Sequence, residues 1–216
     1  MKPITKLYIL IIIIIFSIIF HIFISHIPNV LAEDDDWLSA GNLLKQKGNY
    51  TGAIAAYNRA LEIDPKDKQL WVNKGDALNL LGNYTGAIAA YNRALEIDPS
   101  YVNAWDGKGW ALNELGNYTQ AISYLNKALE IDPNYKWSLS NKGWALNELG
   151  NYTQAISYLN KALEIDPKHI DAFIFKGHSL YGLGNLTGAE YYFEKALGID
   201  PNNELAKRIY NNLIKK

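Results

Sequence analysis

The sequence predicts an all-α solenoid of five stacked helix pairs, and three observations carry that prediction. One unit recurs five times between Asp34 and Asn203, at a constant period marked by Pro65, Pro99, Pro133, Pro167 and Pro201. Gly41, Gly75, Gly109, Gly143 and Gly177 keep the same register, as do the alanines from Ala53 to Ala189 and from Ala60 to Ala196. Inside each unit, apolar residues recur at helical spacing on both sides of a Gly-Asn turn. One such pair cannot bury its apolar face alone, so stacking supplies the core.

The third unit shows how each element arises. Trp105, Gly109 and Leu112 stand at i, i+4 and i+7, one stripe of a first helix. Gly116 accepts the left-handed conformation that ends it, and Thr119 is the expected cap of the second helix. The stripe resumes as Ala121, Leu125, Ala128 and Leu129 until Asp132-Pro133, where Pro cannot continue the helix. Trp105, Tyr118 and Leu125 are expected to fill the space around the small residues. The units divide as 34–67, 68–101, 102–135, 136–169 and 170–203. The remainder, 204–216, carries Leu205, Ile209 and Leu213 on one side and reads as a capping helix.

A Trp, Gly, Ala and Pro spacing at this period resembles the tetratricopeptide repeat (TPR) family over nearly all of the chain beyond residue 33. The resemblance implies a right-handed α-solenoid with a concave groove lined by the first helices, and binding of a protein or peptide partner there. Where the family has Leu before the first Gly, this chain has Lys74, Lys108, Lys142 and Lys176. Their stems are expected to pack while the amines reach water. Asn42 and Asn73 match two amide positions of the clamp with which some members hold a C-terminal carboxylate. Leu38, Asn103 and Gly107 stand where its basic residues belong, which disfavours a chaperone-tail role.

Angular arithmetic locates the candidate groove. Trp110 lies five residues beyond Trp105, about 140° round the helix and away from the core stripe. Trp144 is its copy, and Trp137, seven residues earlier, shares that face. Asn113 and Glu114, then Asn147 and Glu148, follow each Trp at i+3 and i+4 and are expected to join the patch. His178 and Tyr181 take the corresponding places in the fifth unit, while the first two units offer only Asn42, Lys45, Asp76 and Asn79. Flat aromatic faces beside amides and carboxylates suit a peptide side chain, a sugar ring or a cation. Packing of Trp110 and Trp144 against the neighbouring unit is the competing reading. A glycan-binding or wall-associated surface protein and a passive glycosylated spacer are the alternative functions.

The leader, positions 1–32, differs in kind. Lys2 and Lys6 precede an apolar run that holds ten Ile between positions 9 and 24, followed by Val30-Leu31-Ala32. That is the layout of an export signal; uncleaved, residues 7–25 are also long enough for a membrane anchor. Either way the two lysines stay inside and the repeats are expected outside the cytoplasm. Without the leader, 19 basic residues face 22 acidic ones, which gives no reason to expect nucleic acid.

Five N-glycosylation sequons, at Asn49, Asn83, Asn117, Asn151 and Asn185, occupy the same turn of each unit. Duplication multiplies them: Lys108 to Pro133 is identical to Lys142 to Pro167. They are expected to carry glycans along one edge if the host modifies exported chains. The chain has no cysteine, and beyond the leader only His169 and His178 remain as histidines. With no phosphate loop and no paired catalytic groups, an enzyme, a cofactor and a metal site are not expected.

Overall fold

The computed structural model describes residues 34–214; the leader expectation falls on residues that lie outside the described ones. Eleven helices and no strand make up the described residues. The five pairs are α1 (Asp34–Gln46) with α2 (Tyr50–Ile63), α3 (Lys68–Leu80) with α4 (Tyr84–Ile97), α5 (Val102–Glu114) with α6 (Tyr118–Ile131), α7 (Lys136–Glu148) with α8 (Tyr152–Ile165), and α9 (Ile170–Gly182) with α10 (Leu186–Ile199). Helix α11 (Glu204–Ile214) follows and packs on α10 and α9. Each second helix packs on its own partner and on the next first helix. Successive first helices also touch one another, whereas among the described residues successive second helices do not. The stack is therefore tighter on the side of the first helices, and that side is the inner face.

The turns behave as backbone chemistry requires, with one revision. Gly116 has φ of 74°; its N–H donates to the Asn113 carbonyl at 2.9 Å, and the Asn117 N–H reaches the Leu112 carbonyl at 2.8 Å. These two bonds close the end of α5, and the αL residue they need is Gly in every unit. The cap of the second helix is Asn, not Thr. Helix α6 begins at Tyr118, so Asn117 is the cap and Thr119 already lies within the first turn. In α2, α4 and α10 the caps Asn49, Asn83 and Asn185 accept from the N–H of Gly52, Gly86 and Gly188. A Cβ at Gly52 would sit 2.7 Å from the Asn49 amide, so that bond suits glycine. Where Gln120 replaces the glycine, the Asn117 amide donates instead to the Gln120 side chain at 2.9 Å.

Close approach of the two helices in a pair sets the core. Ala121, Leu125 and Ala128 are fully buried, as are Ala155, Leu159 and Ala162 one repeat later. A Cβ placed on Gly143 would lie 2.6 Å from Leu159 Cγ, so only hydrogen fits there. Three of the four lysines that depart from the family pattern, Lys108, Lys142 and Lys176, turn their amines onto a Tyr instead of out to water. Lys142 is 8% exposed and donates to Asn126 and to the Tyr158 hydroxyl, at 2.5 and 2.8 Å, with its amine 3.9 Å from the Tyr158 ring centre. Lys108 and Lys176 lie over Tyr124 and Tyr192 in the same manner. A Tyr one helix away is thus the partner of these three amines, whereas Lys74, where Ala90 takes the place of that Tyr, lies over Trp71 of its own helix.

Gly143→Leu is expected to destabilise the solenoid by about 1 to 3 kcal/mol or more, because a well-packed contact is overfilled. Gly198→Ala, at a helical site where an added Cβ meets nothing within 4 Å, should be neutral or stabilising by up to about 1 kcal/mol. Urea midpoints of the two variants measure both effects, and equal shifts would contradict the packing described.

Candidate functional site

The inner face carries a concavity of about 690 Å³ walled by three consecutive first helices and closed at one end by α11. Trp110, Asn113 and Glu114 come from α5, Asn141, Trp144 and Glu148 from α7, and Asp171, Phe175 and His178 from α9. Tyr118 from the start of α6 completes one side, and Leu205, Ile209 and Arg208 of α11 form the far end. The periodicity explains the convergence: equivalent residues of stacked units fall in one column, so Trp110, Trp144 and His178 stand in line. Trp144 is half-buried and its ring stacks on Phe175, with centroids 5.5 Å apart and planes 12° apart. Packing against the neighbour and lining the cavity are thus both true of Trp144. Trp110 meets the Tyr84 ring edge to face, with centroids 6.3 Å apart.

Six of the nine residues singled out from the sequence line this cavity: Trp110, Asn113, Glu114, Trp144, Glu148 and His178. Three do not. Trp137 is on the same side of α7 as Trp144 but two turns away, which is about 10 Å along the axis. Its ring packs edge to face with His169, centroids 4.6 Å apart. Asn147, at i+3 from Trp144, turns toward the next unit, where it is 2% exposed and donates to the Phe175 carbonyl at 2.7 Å. Tyr181, at i+3 from His178, packs against the core for the same angular reason.

Sequence reasoning missed Tyr118, Asp171, Phe175 and the contribution of α11. Tyr118 was expected in the core, yet it faces Glu148 across the unit boundary, and burial with the Glu148 charge raises its hydroxyl above the usual range. Tyr84 makes the equivalent contact, donating to Glu114 at 3.2 Å. The signal existed in the sequence, since a Tyr at the start of one second helix and a Glu at the end of the next first helix both recur. Phe175 and Asp171 have no counterpart in the duplicated units, so periodicity could not have marked them.

The inner face of the first two pairs differs because its polar groups satisfy one another. The Tyr57 hydroxyl donates to Asn42 at 2.8 Å, and that of Tyr91 donates to Asp76 at 2.9 Å while accepting from Asn79 at 2.8 Å. Lys45 pairs with Asp76 at 3.5 Å. Where the second helix offers Leu125 or Leu159 in place of those tyrosines, Trp110 and Trp144 replace the polar partner. The aromatic half of the groove begins at that change.

Electrostatically the face is acidic. Burial raises the carboxyls of Asp76 and Asp171, against the pull of Lys45 and of His169 respectively. Asp106 is pushed up to about 6 by burial, although it accepts from Ser138 at 2.8 Å and Asn141 at 3.0 Å. Since its folded-state value lies above the ordinary one, the ionised carboxylate costs stability above about pH 6, and the cost fades as pH falls toward about 4. Asp106→Asn, which can still accept both hydrogen bonds, should therefore stabilise the fold by about 1 to 3 kcal/mol at pH 8. The gain should vanish near about pH 4. Urea melts at the two pH values check this, and a pH-independent effect would contradict it.

Family models described as Tetratricopeptide repeat match residues 38–102 and 140–204, residues 111–168, and residues 90–123. No curated protein matches the chain. Among solved structures, the thermophilic TPR protein TTC0263 of Thermus thermophilus is similar at 21% identity and a TM-score of 0.75, over 85% of this chain and 100% of that one. YrrB, described as a TPR protein with an unusual peptide-binding site, aligns at 25% identity and a TM-score of 0.56, over 88% of this chain and 97% of its own. MamA from Desulfovibrio magneticus aligns at 18% identity and a TM-score of 0.63, over 80% and 98%. Repeat length, helix pairing, turn chemistry and these matches agree: the chain belongs to the tetratricopeptide repeat family.

Proposed function

We propose that this chain is an exported scaffold that binds a protein or peptide segment in the concave groove of its third to fifth helix pairs. The observation that carries the reading is the shared cavity, where aromatic rings from four helices stand beside amides and carboxylates from three. A volume of about 690 Å³ accommodates a few side chains of an extended segment, and rigid first helices hold the wall without an ordering cost. YrrB, a similar structure, is described as having a peptide-binding site of its own.

Peptides selected from a displayed random library on the full chain should lose about tenfold or more in affinity with Glu114→Ala or Trp144→Ala. Tyr191→Ala, on the second helix α10 and 51% exposed, should leave them unaffected. Because Trp144 also packs on Phe175, unfolding midpoints accompany each titration. Saturable binding of soluble oligosaccharides without any peptide would favour the glycan reading, and no saturable ligand of either kind would favour a spacer.

Export rests on the charged, apolar leader and on the five sequons. Asn49, Asn83, Asn117, Asn151 and Asn185 are all exposed at helix starts, within reach of a transferase. Among the described residues no helix is long and apolar enough to cross a membrane, so an anchoring role would belong to residues 7–25. Protein from its native host should begin at Glu33 or remain in the membrane fraction, with mass above the sequence value in glycan-sized steps. Thr119→Val should remove the step at Asn117 and shift stability by less than about 0.5 kcal/mol, since Thr119 is exposed and does not cap the helix. An unmodified mass would mean that the Asn-Thr turn is a copied turn only.

A further inference from the structure

Resting on that reading, we propose that the groove selects a cationic segment, with a Lys or Arg side chain of the bound peptide held against Trp110 and Trp144 and paired by Glu114, Glu148 and Asp171. The cavity wall carries three carboxylates, Glu114, Glu148 and Asp171. Glu114 receives one hydrogen bond, from Tyr84 at 3.2 Å. Glu148 has the Tyr118 hydroxyl and, at 3.9 Å, the His178 ring. Among the described residues no donor reaches the half-buried Asp171 side chain. Arg208, exposed on α11, is the single permanent cation on the wall and sits at its end.

The floor supplies an independent observation. Asn113 is 1% exposed and lines the cavity, its Nδ2 donates to the Asn141 carbonyl at 2.9 Å, and its Oδ1 has no hydrogen-bond partner. The duplicated unit is an internal control. In the next repeat, Ser179 donates to the equivalent oxygen of Asn147 at 2.6 Å, but Ala145 occupies the place of that serine opposite Asn113. Asn79, one repeat earlier, lacks a donor on its oxygen in the same way, with Ala111 at the serine's place, but it lies outside the cavity. A buried acceptor left without a donor costs free energy, and at Asn113 that oxygen is enclosed opposite Ala145, directly under the cavity lining.

Carboxylates beside indole faces favour a positive group on both counts, by ion pairing and by attraction to the ring quadrupole. Asp76 and Asp106 extend the same sign along the inner face toward the N-terminal pairs. A basic segment is thus steered in, and an acidic one meets like charge at Glu114, Glu148 and Asp171.

The test titrates the full chain, purified in detergent, with labelled and terminally blocked peptides that differ only in carrying four Arg, four Gln or four Glu. The Arg peptide should bind about tenfold or more tightly than the Gln peptide, and the Glu peptide should not bind. Asp171→Asn and Glu148→Gln, both close in shape, should each weaken the Arg peptide about tenfold, with unfolding midpoints confirming that they fold. Glu62→Gln, exposed on α2, should leave it unchanged. Equal binding of the Arg and Gln peptides, still lost in Trp144→Ala, would overturn the cationic preference and leave the groove reading standing. Arg binding weakened equally by Glu62→Gln would mean diffuse charge attraction and would overturn it too. No binding of any peptide would remove both.

Discussion

The contact on which the rest depends is the one between the glycine of each first helix and a bulky residue of its partner. At Gly41, Gly75, Gly109, Gly143 and Gly177 an added Cβ would come within 3 Å of Tyr57, Tyr91, Leu125, Leu159 and Phe193 respectively. The two backbones approach until the large side chain rests on bare backbone, and the small neighbours Ala121, Ala128 and their counterparts close the remaining gap. Every pair repeats that geometry, so every pair presents the same stripe to the next. Gly107 adds a second such contact across a unit boundary, where Tyr91 of the preceding pair fills the space a side chain would need.

The same bulky residue also decides the character of the groove. Its tip reaches toward the inner face, and when it is Tyr it brings a buried hydroxyl that must be partnered there. Asn42 and Asp76 serve that purpose, and the Tyr57 hydroxyl is pushed up to about 12 by its burial, then by the Asp76 charge. Leu125 and Leu159 carry no such demand. The positions opposite are then free for Trp110 and Trp144, so one apolar substitution in the core is linked to an aromatic wall on the surface. In the first two pairs polar partners of the tyrosines fill the column that Trp110 and Trp144 occupy in the third and fourth.

Charge is distributed unevenly between the two faces. On the outer side, lysines lie over tyrosines, and salt bridges such as Lys136 with Asp166 at 2.7 Å tie the start of a unit to its end. On the inner side carboxylates gather where burial works against ionisation, as at Asp106 and Asp171. Of the two, Asp171 lines the concavity, and Asp106 lies behind it, held by Ser138 and Asn141.

The sequence by itself determined the repeat, the two helices of each unit, the glycine turns and the identity of the core stripe, because a constant period reports local geometry five times over. It also determined the columns of Trp110, Trp144 and His178, since a residue's angle on a helix follows from its number. What only the tertiary structure decided was which neighbours each residue meets. Asn113 and Asn147 share one angle and are both covered by the next first helix, and Tyr181 at that angle packs on the core, yet only Asn113 also borders the cavity. Trp137 has the right face but lies too far along the axis. Lys142 found Tyr158 instead of water, and Asp171, Phe175 and α11 reached the wall from units that duplication does not mark. Helical periodicity fixes direction about an axis; distance along it and the partner across the interface come from how the pairs stack.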